Sequence, residues 1–163
     1  MPEAKRILVI SDTHLSEAAW RGALSVAGPI DMAFHLGDNV SDARKMEREL
    51  AKTGTPLYCV KGNCDFSGAE DEQLVTVCGW RLWLTHGHKF GVKYGLGRLF
   101  YAAREREADA ALFGHTHQPC EEYMEGCLLL NPGSAARPRG VHPTFALLEV
   151  SRDGIRSRIV AMD

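Results

Sequence analysis

Arg6-Ile7-Leu8-Val9-Ile10-Ser11-Asp12-Thr13-His14 carries a continuous apolar run straight into a polar turn. Such a run reads as a strand covered on both faces, which points to a parallel sheet with helices packed against it. The next segments repeat the arrangement. Ser16 is placed to N-cap a helix in which Ala18, Ala19, Trp20, Ala23 and Leu24 recur at roughly helical spacing until Gly28-Pro29 stops it. Residues 32–36 form a second buried strand, residues 42–52 a charged helix ended by Gly54, and residues 57–60 a third strand. This β-α-β-α-β opening predicts a parallel sheet with right-handed crossovers. Asp12, Asp38 and Asn63 then fall at the carboxyl ends of its strands, where open α/β sheets place their sites.

The second half changes character. Residues 73–77 and 81–85 flank Cys78-Gly79-Trp80 and read as a hairpin. Leu96, Leu99, Phe100 and Ala103 mark a helix that runs out in Arg104-Glu105-Arg106-Glu107. Residues 110–113 are another buried strand, and short strands follow at 122–124, 127–130, 144–150 and 155–160, with Asp153-Gly154 as the last hairpin turn. More than eight strands with about three helices predicts two sheets packed together, helices outside. No repeat or linker interrupts the 163 residues, so a single domain, 1–163, is expected.

Composition excludes several classes. Formal net charge is −2, from 19 basic and 21 acidic residues, which gives no general pull toward nucleic acid or anionic membrane. The start, Met1-Pro2-Glu3-Ala4-Lys5-Arg6, leads into only four apolar residues, too few for a leader core, and no apolar run approaches membrane-spanning length. The five cysteines are odd in number and lack zinc-type pairing, which favours reduced thiols and a cytoplasmic setting.

Function is signalled by the turns. Asp12-Thr13-His14, Gly37-Asp38, Gly62-Asn63, His86-Gly87-His88 and Gly114-His115-Thr116-His117 each follow a short apolar run. Carboxylate oxygen with imidazole nitrogen, without thiolate, suits hard-to-borderline divalent ions such as Mn²⁺, Fe²⁺ or Zn²⁺ better than a structural zinc. Asp12 alone would read as an ordinary N-cap, and His35, inside an apolar strand, reads as a core or supporting histidine. The turns together, in this order, favour ligands.

In that order the motifs resemble the calcineurin-like metallophosphoesterase superfamily, whose pattern is D-x-H, G-D-x-x-D, G-N-H-D/E, a His near a Gly, then G-H-x-H. The chain looks most like the small single-domain bacterial and archaeal phosphodiesterase branch, which shares its fold with a retromer subunit. The resemblance covers residues 7–139 and includes Asn131-Pro132-Gly133-Ser134. It implies a four-layer α-β-β-α sandwich with two mixed sheets face to face. It also implies two divalent cations, Mn²⁺ foremost with Fe²⁺, Ni²⁺ and Zn²⁺ as alternatives, bridged by Asp38. Asp12, His14 and His117 would complete one metal position; Asn63, His86 and His115 the other. The implied activity is hydrolysis of phosphodiester P–O bonds by a metal-bridging hydroxide, with a phosphomonoesterase or a protein-binding scaffold as rivals. The substrate is a small phosphoester, nucleotide-like ones included; a homo-oligomer stays open.

Two positions depart from the pattern. Cys64 stands where the family has the histidine thought to protonate the leaving oxygen, and Ser41 where it has the Asp that orients that histidine. Asp42 lies one residue late. General-acid help is worth roughly 10²–10⁴-fold, so losing the pair predicts a preference for good leaving groups. Asn63, Cys64 and His88 are the candidates for roles in the chemistry, Cys64 as a neighbour of the metals and not a nucleophile. His88, Arg137 and Arg139 are candidate phosphate contacts.

Overall fold

A computed structural model describes residues 3–139 and 142–162. Met1 and Pro2, part of the stretch read for a leader, lie outside the described residues. The first strand, β1 (Lys5–Ile10), pairs in parallel with β2 (Met32–His35), and β2 with β3 (Leu57–Cys59). Helices α1 (Glu17–Ala27) and α2 (Val40–Ala51) make the two crossovers. Ser16 caps α1, accepting the Ala19 N–H at 3.1 Å. Helix α2 starts two residues earlier than the charge pattern predicts, which puts Asp42 in its first turn.

The hairpin of β4 (Glu72–Val77) and β5 (Trp80–Thr85) opens the second sheet. A short 3-10 turn, His88–Phe90, that the sequence pattern did not announce leads on toward α3 (Gly97–Glu105). Strands β6 (Ala110–Leu112), β7 (Pro119–Met124) and β8 (Cys127–Pro132) extend the sheet in the order β4-β5-β6-β8-β7. The chain then returns to the first sheet with β9 (Thr144–Ser151), antiparallel to β1, and β10 (Gly154–Ala161), giving β10-β9-β1-β2-β3. Each sheet mixes parallel and antiparallel pairs.

Side-chain alternation along β1 explains the layering. Ile7 and Val9 point into a core shared with Leu82, Leu84, Leu112 and Leu130 of the second sheet. Leu8 and Ile10 point the other way, against Trp20, Ala23 and Met46 of α1 and α2. The outer face of the second sheet, through Trp83 and Ala111, packs on Leu99, Phe100 and Ala103 of α3. Three apolar interfaces between four layers are the α-β-β-α sandwich that the resemblance implied. A strand buried on both faces has no polar alternation to show, which is why residues 6–11 read as one apolar run.

Candidate metal centre

The polar turns converge where the parallel strands of both sheets end. Asp12 is fully buried after β1. Its Oδ2 accepts the Ser11 hydroxyl at 2.6 Å and the His115 N–H at 3.1 Å. Its Oδ1 is buried with no hydrogen-bond partner, as is Nε2 of His86, 3.8 Å away. Buried acceptors are rarely left alone. Two facing one another fit a cation between them.

Asp12, His14 and His117 bring ligand atoms within 4.8 Å of one another, and so do Asp12, Asp38 and His86. His117 Nε2 lies 3.2 Å from Asp12 Oδ1 and 3.2 Å from His14 Nε2. The Nδ1 of His117 donates to the Arg137 carbonyl at 2.7 Å, which leaves Nε2 as the lone-pair nitrogen. The ring of His115 stands 5.2 Å from that of His86, and that of His88 stands 5.5 Å from His86 and 6.1 Å from His115. Asn63 is exposed at the rim, its amide 3.9 Å from the Cys64 sulfur. The structure thus gathers the expected residues in one region. Asp12 is common to both groups of convergent ligand atoms, and Asp38 belongs to the one that contains His86.

The turns are held in costly conformations. Asp12, His14, Leu15 and Asp38 have φ of 55°, 44°, 65° and 48°, left-handed values that cost a non-glycine residue about 1–3 kcal/mol each. Long-range bonds fix them. Asp12 N–H donates to Gly37 O at 3.0 Å, His14 N–H to Asp38 O at 3.3 Å, and the Ser134 hydroxyl to Asp12 O at 2.8 Å. Asp65 accepts the N–H groups of Asp38, Val40 and Gly62 at 2.9, 2.8 and 2.8 Å. Asn131 donates to Gly114 O and to the Thr116 hydroxyl, both at 3.0 Å. Two glycines are there for space. A Cβ on Gly62 would strike the Asp38 carboxylate, and one on Gly114 would strike Ser11 and Asp12.

Charge sorts the histidines. Burial, with the charges of His86 and Lys93, pushes His115 down to about 4. Burial likewise lowers His14 and His88. Burial opposes protonation of His86, but Asp38 at 3.4 Å and Asp12 outweigh it and raise its pKa. Asp12 raises His117. Burial works against ionisation of Asp38 too, yet His86 and the Cys64 N–H at 2.9 Å hold it far below the usual carboxylate range. Burial and the Asp38 charge raise the Cys64 thiol, which disfavours a thiolate nucleophile.

Arg137 acts on His14, and Arg139 on His117, as neighbouring positive charges. Lys93 does the same to His115, a third cation at the rim that sequence reading passed over. Asp42 does not turn toward Cys64; its carboxylate binds Thr13 and Leu15. Asp65, Asn131 and Ser134 were also missed as supports. Asp65 completes the Gly62-Asn63-Cys64-Asp65 turn, and that fourth position was the available signal.

A family model for the calcineurin-like phosphoesterase superfamily domain matches residues 6–153. The probable metallophosphoesterase YsnB of Bacillus subtilis is 37% identical over 156 residues, which covers 93% of this chain and 88% of that protein. Phosphodiesterase YfcE of Escherichia coli is 32% identical over 124 residues, 70% of this chain and 63% of that one. The fold of vacuolar protein sorting 29 from Cryptosporidium parvum superposes with a TM-score of 0.77 at 20% identity, covering 98% of this chain and 99% of that one. With its motifs converging on one buried centre and the match spanning nearly its whole length, the chain belongs to the calcineurin-like phosphoesterase superfamily.

Proposed function

We propose that the chain hydrolyses a small phosphodiester with two divalent cations, Mn²⁺ foremost. Asp12, His14, Asp38 and His117 would hold one, and Asp38, Asn63, His86 and His115 the other, with Asp12 within reach of both. The observation that carries this reading is the buried, unpartnered pair Asp12 Oδ1 and His86 Nε2. When bound, two such cations supply Lewis-acid charge and an acidified water near neutral pH.

The chain's own residues account for the rest. Asp12 and Asp38 offset two of four positive charges, and Asn63 adds an oxygen ligand without adding charge. The modest surplus suits a monoanionic diester better than a dianionic monoester. Arg137, Arg139 and Lys93 stand at the rim to take phosphate oxygens, and His88, beside His86 and His115, is a further phosphate contact. Cys64 and Ser41 provide no acid and orienter, so the substrate needs a good leaving group. The five thiols are unpaired, which fits a reducing cytoplasm.

The deciding experiment compares kcat/KM for an activated aryl diester and its matched monoester with Mn²⁺ added, nucleotide esters included in the same screen. A higher value for the diester supports the reading. A monoester preference weakened by Arg137→Ala or Arg139→Ala moves the protein to phosphomonoesterase. The likeness to vacuolar protein sorting 29 raises a third reading, a binding platform. A wild-type protein that stays folded and hydrolyses neither ester with Mn²⁺ bound, or binds no cation, would favour that platform.

A further inference from the structure

Thr13 separates the two residues that the first turn gives to the centre, and its own side chain is fully buried. Its hydroxyl donates to Asp42 Oδ2 at 2.6 Å. A hydroxyl has a single proton, so the same oxygen must accept from His35 Nε2, 3.0 Å away. His35 agrees with that direction, because its Nδ1 accepts the Gly37 N–H at 3.2 Å and the ring proton is left on Nε2. Asp42 Oδ2 also takes the Leu15 N–H at 2.9 Å. His35 is fully buried and Asp42 is 2% exposed. One directed chain therefore runs from Gly37 through His35 and Thr13 to Asp42, with Leu15 closing on its far end.

The two turns joined by this chain are those that carry Asp12, His14 and Asp38. Thr13 lies between the first two, and Gly37 immediately precedes the third. Both turns hold non-glycine residues in left-handed conformations, so their geometry depends on what fastens them. Asp42 thus has a use other than the one its sequence position suggested: its carboxylate fastens the Asp12-Thr13-His14 turn from below.

We propose that Thr13, His35 and Asp42 are positioning residues that set the spacing of Asp12, His14 and Asp38, and through it the affinity of the centre for its cations. The proposal rests on the metal-centre reading above. Its logic is that of supporting hydrogen bonds around metal ligands, whose loss commonly costs 10–100-fold in affinity. Here the support acts on the backbone turns and not on a ligand ring.

Calorimetric titration of the metal-free full chain with Mn²⁺ tests it, without substrate and with thermal melting run alongside. Thr13→Val keeps the side-chain shape, removes the donor to Asp42 and strands His35 Nε2–H. We expect it to weaken Mn²⁺ binding roughly 10–100-fold, and Asp42→Asn to weaken it in the same direction. Thr13→Ser, which restores the hydroxyl, should bind near the wild-type level. If Thr13→Val fails to fold, Asp42→Asn and Thr13→Ser carry the test. Wild-type affinity in both Thr13→Val and Asp42→Asn, even with a lowered Tm, would overturn the proposal, as it would assign the chain to folding alone. Loss in Thr13→Ser equal to that in Thr13→Val would also overturn it. A folded wild type that takes up no Mn²⁺ is a different result: it removes the metal-centre reading and this inference with it.

Discussion

The Nδ1 of His86 lies 2.7 Å from the carbonyl oxygen of Leu36, two residues before Asp38. A carbonyl only accepts, so Nδ1 carries a ring proton in either charge state; in the neutral ring Nε2, 3.4 Å from Asp38, holds the lone pair. That bond crosses from the second sheet to the first. It fixes the imidazole and the neighbouring carboxylate by the same backbone segment.

Metal stoichiometry should reveal which carboxylates are shared. Asp12 belongs to both groups of convergent ligand atoms, whereas His117 belongs to one. Asp12→Asn and Asp38→Asn are expected to lower metal content at both positions and to abolish activity. His117→Ala should leave one cation in place. Elemental analysis of the purified variants checks this, and a His117→Ala protein as empty as Asp12→Asn would count against two separable positions.

The two raised histidines set a pH dependence. His86 and His117 have folded-state pKa values above their ordinary 6.5 in the metal-free protein. Their protonated forms therefore contribute stability that is fully present below about 6.5 and lost as pH rises through the raised values. Cation binding needs both rings unprotonated and carries the opposite sign. Metal-free protein should lose Tm from pH 6.5 upward, while the increase in Tm on adding Mn²⁺ should grow over the same interval. Scanning calorimetry with and without Mn²⁺ measures both trends.

Leaving-group dependence follows from Cys64 and Ser41. On the proposed reading no protein acid protonates the departing oxygen, so rates should fall steeply as leaving-group pKa rises. Cys64→His together with Ser41→Asp should flatten the slope for a series of aryl diesters. A flat wild-type series, with the chemical step shown to limit turnover, would assign protonation to another residue, His88 first.

Gly62 offers a test of crowding. In Gly62→Ala the new methyl would meet the Asp38 backbone N at 2.9 Å, besides its carboxylate. Asp38 cannot back away easily, because Asp65 holds its N–H and Cys64 its Oδ1. The variant is expected to lose Mn²⁺ affinity more than it loses Tm, read by titration and melting on the same sample. Gly97→Ala, where a Cβ meets nothing within 4 Å and φ is not left-handed, is the comparison.

The strands and the turns were legible in the sequence because each rests on neighbours in the chain. Residues 6–11 read as doubly buried, and β1 is from Ile7 onward; the hairpin around Cys78-Gly79 and the cap at Ser16 likewise rest on local chemistry. What was not legible depends on residues brought together from far apart. Nothing local in β8 says that it pairs with β6 on one side and β7 on the other, or in β9 that it returns to β1. The Ser134 hydroxyl reaches Asp12 across 122 positions, and Asn131 reaches Gly114 across 17. Lys93 joins the rim only because the segment after the His88–Phe90 turn lies beside His115. Ligand types show in a sequence; the groups that aim them show only in the fold.

Asp12 and Asp38 follow strands of one sheet, while His86 and His115 follow strands of the other. A cation gripped by both sets is a rivet through the sandwich at the end where the apolar core stops. Whatever binds the closed form and not the opened one shifts that opening by mass action, so chelation should unzip the layers from this end first. Amide exchange would quicken at Leu36 and Phe113, whose N–H groups close the two sheets there. A protease would then sample the opened form more often, and the supply of cation would govern the lifetime of the protein as well as its turnover.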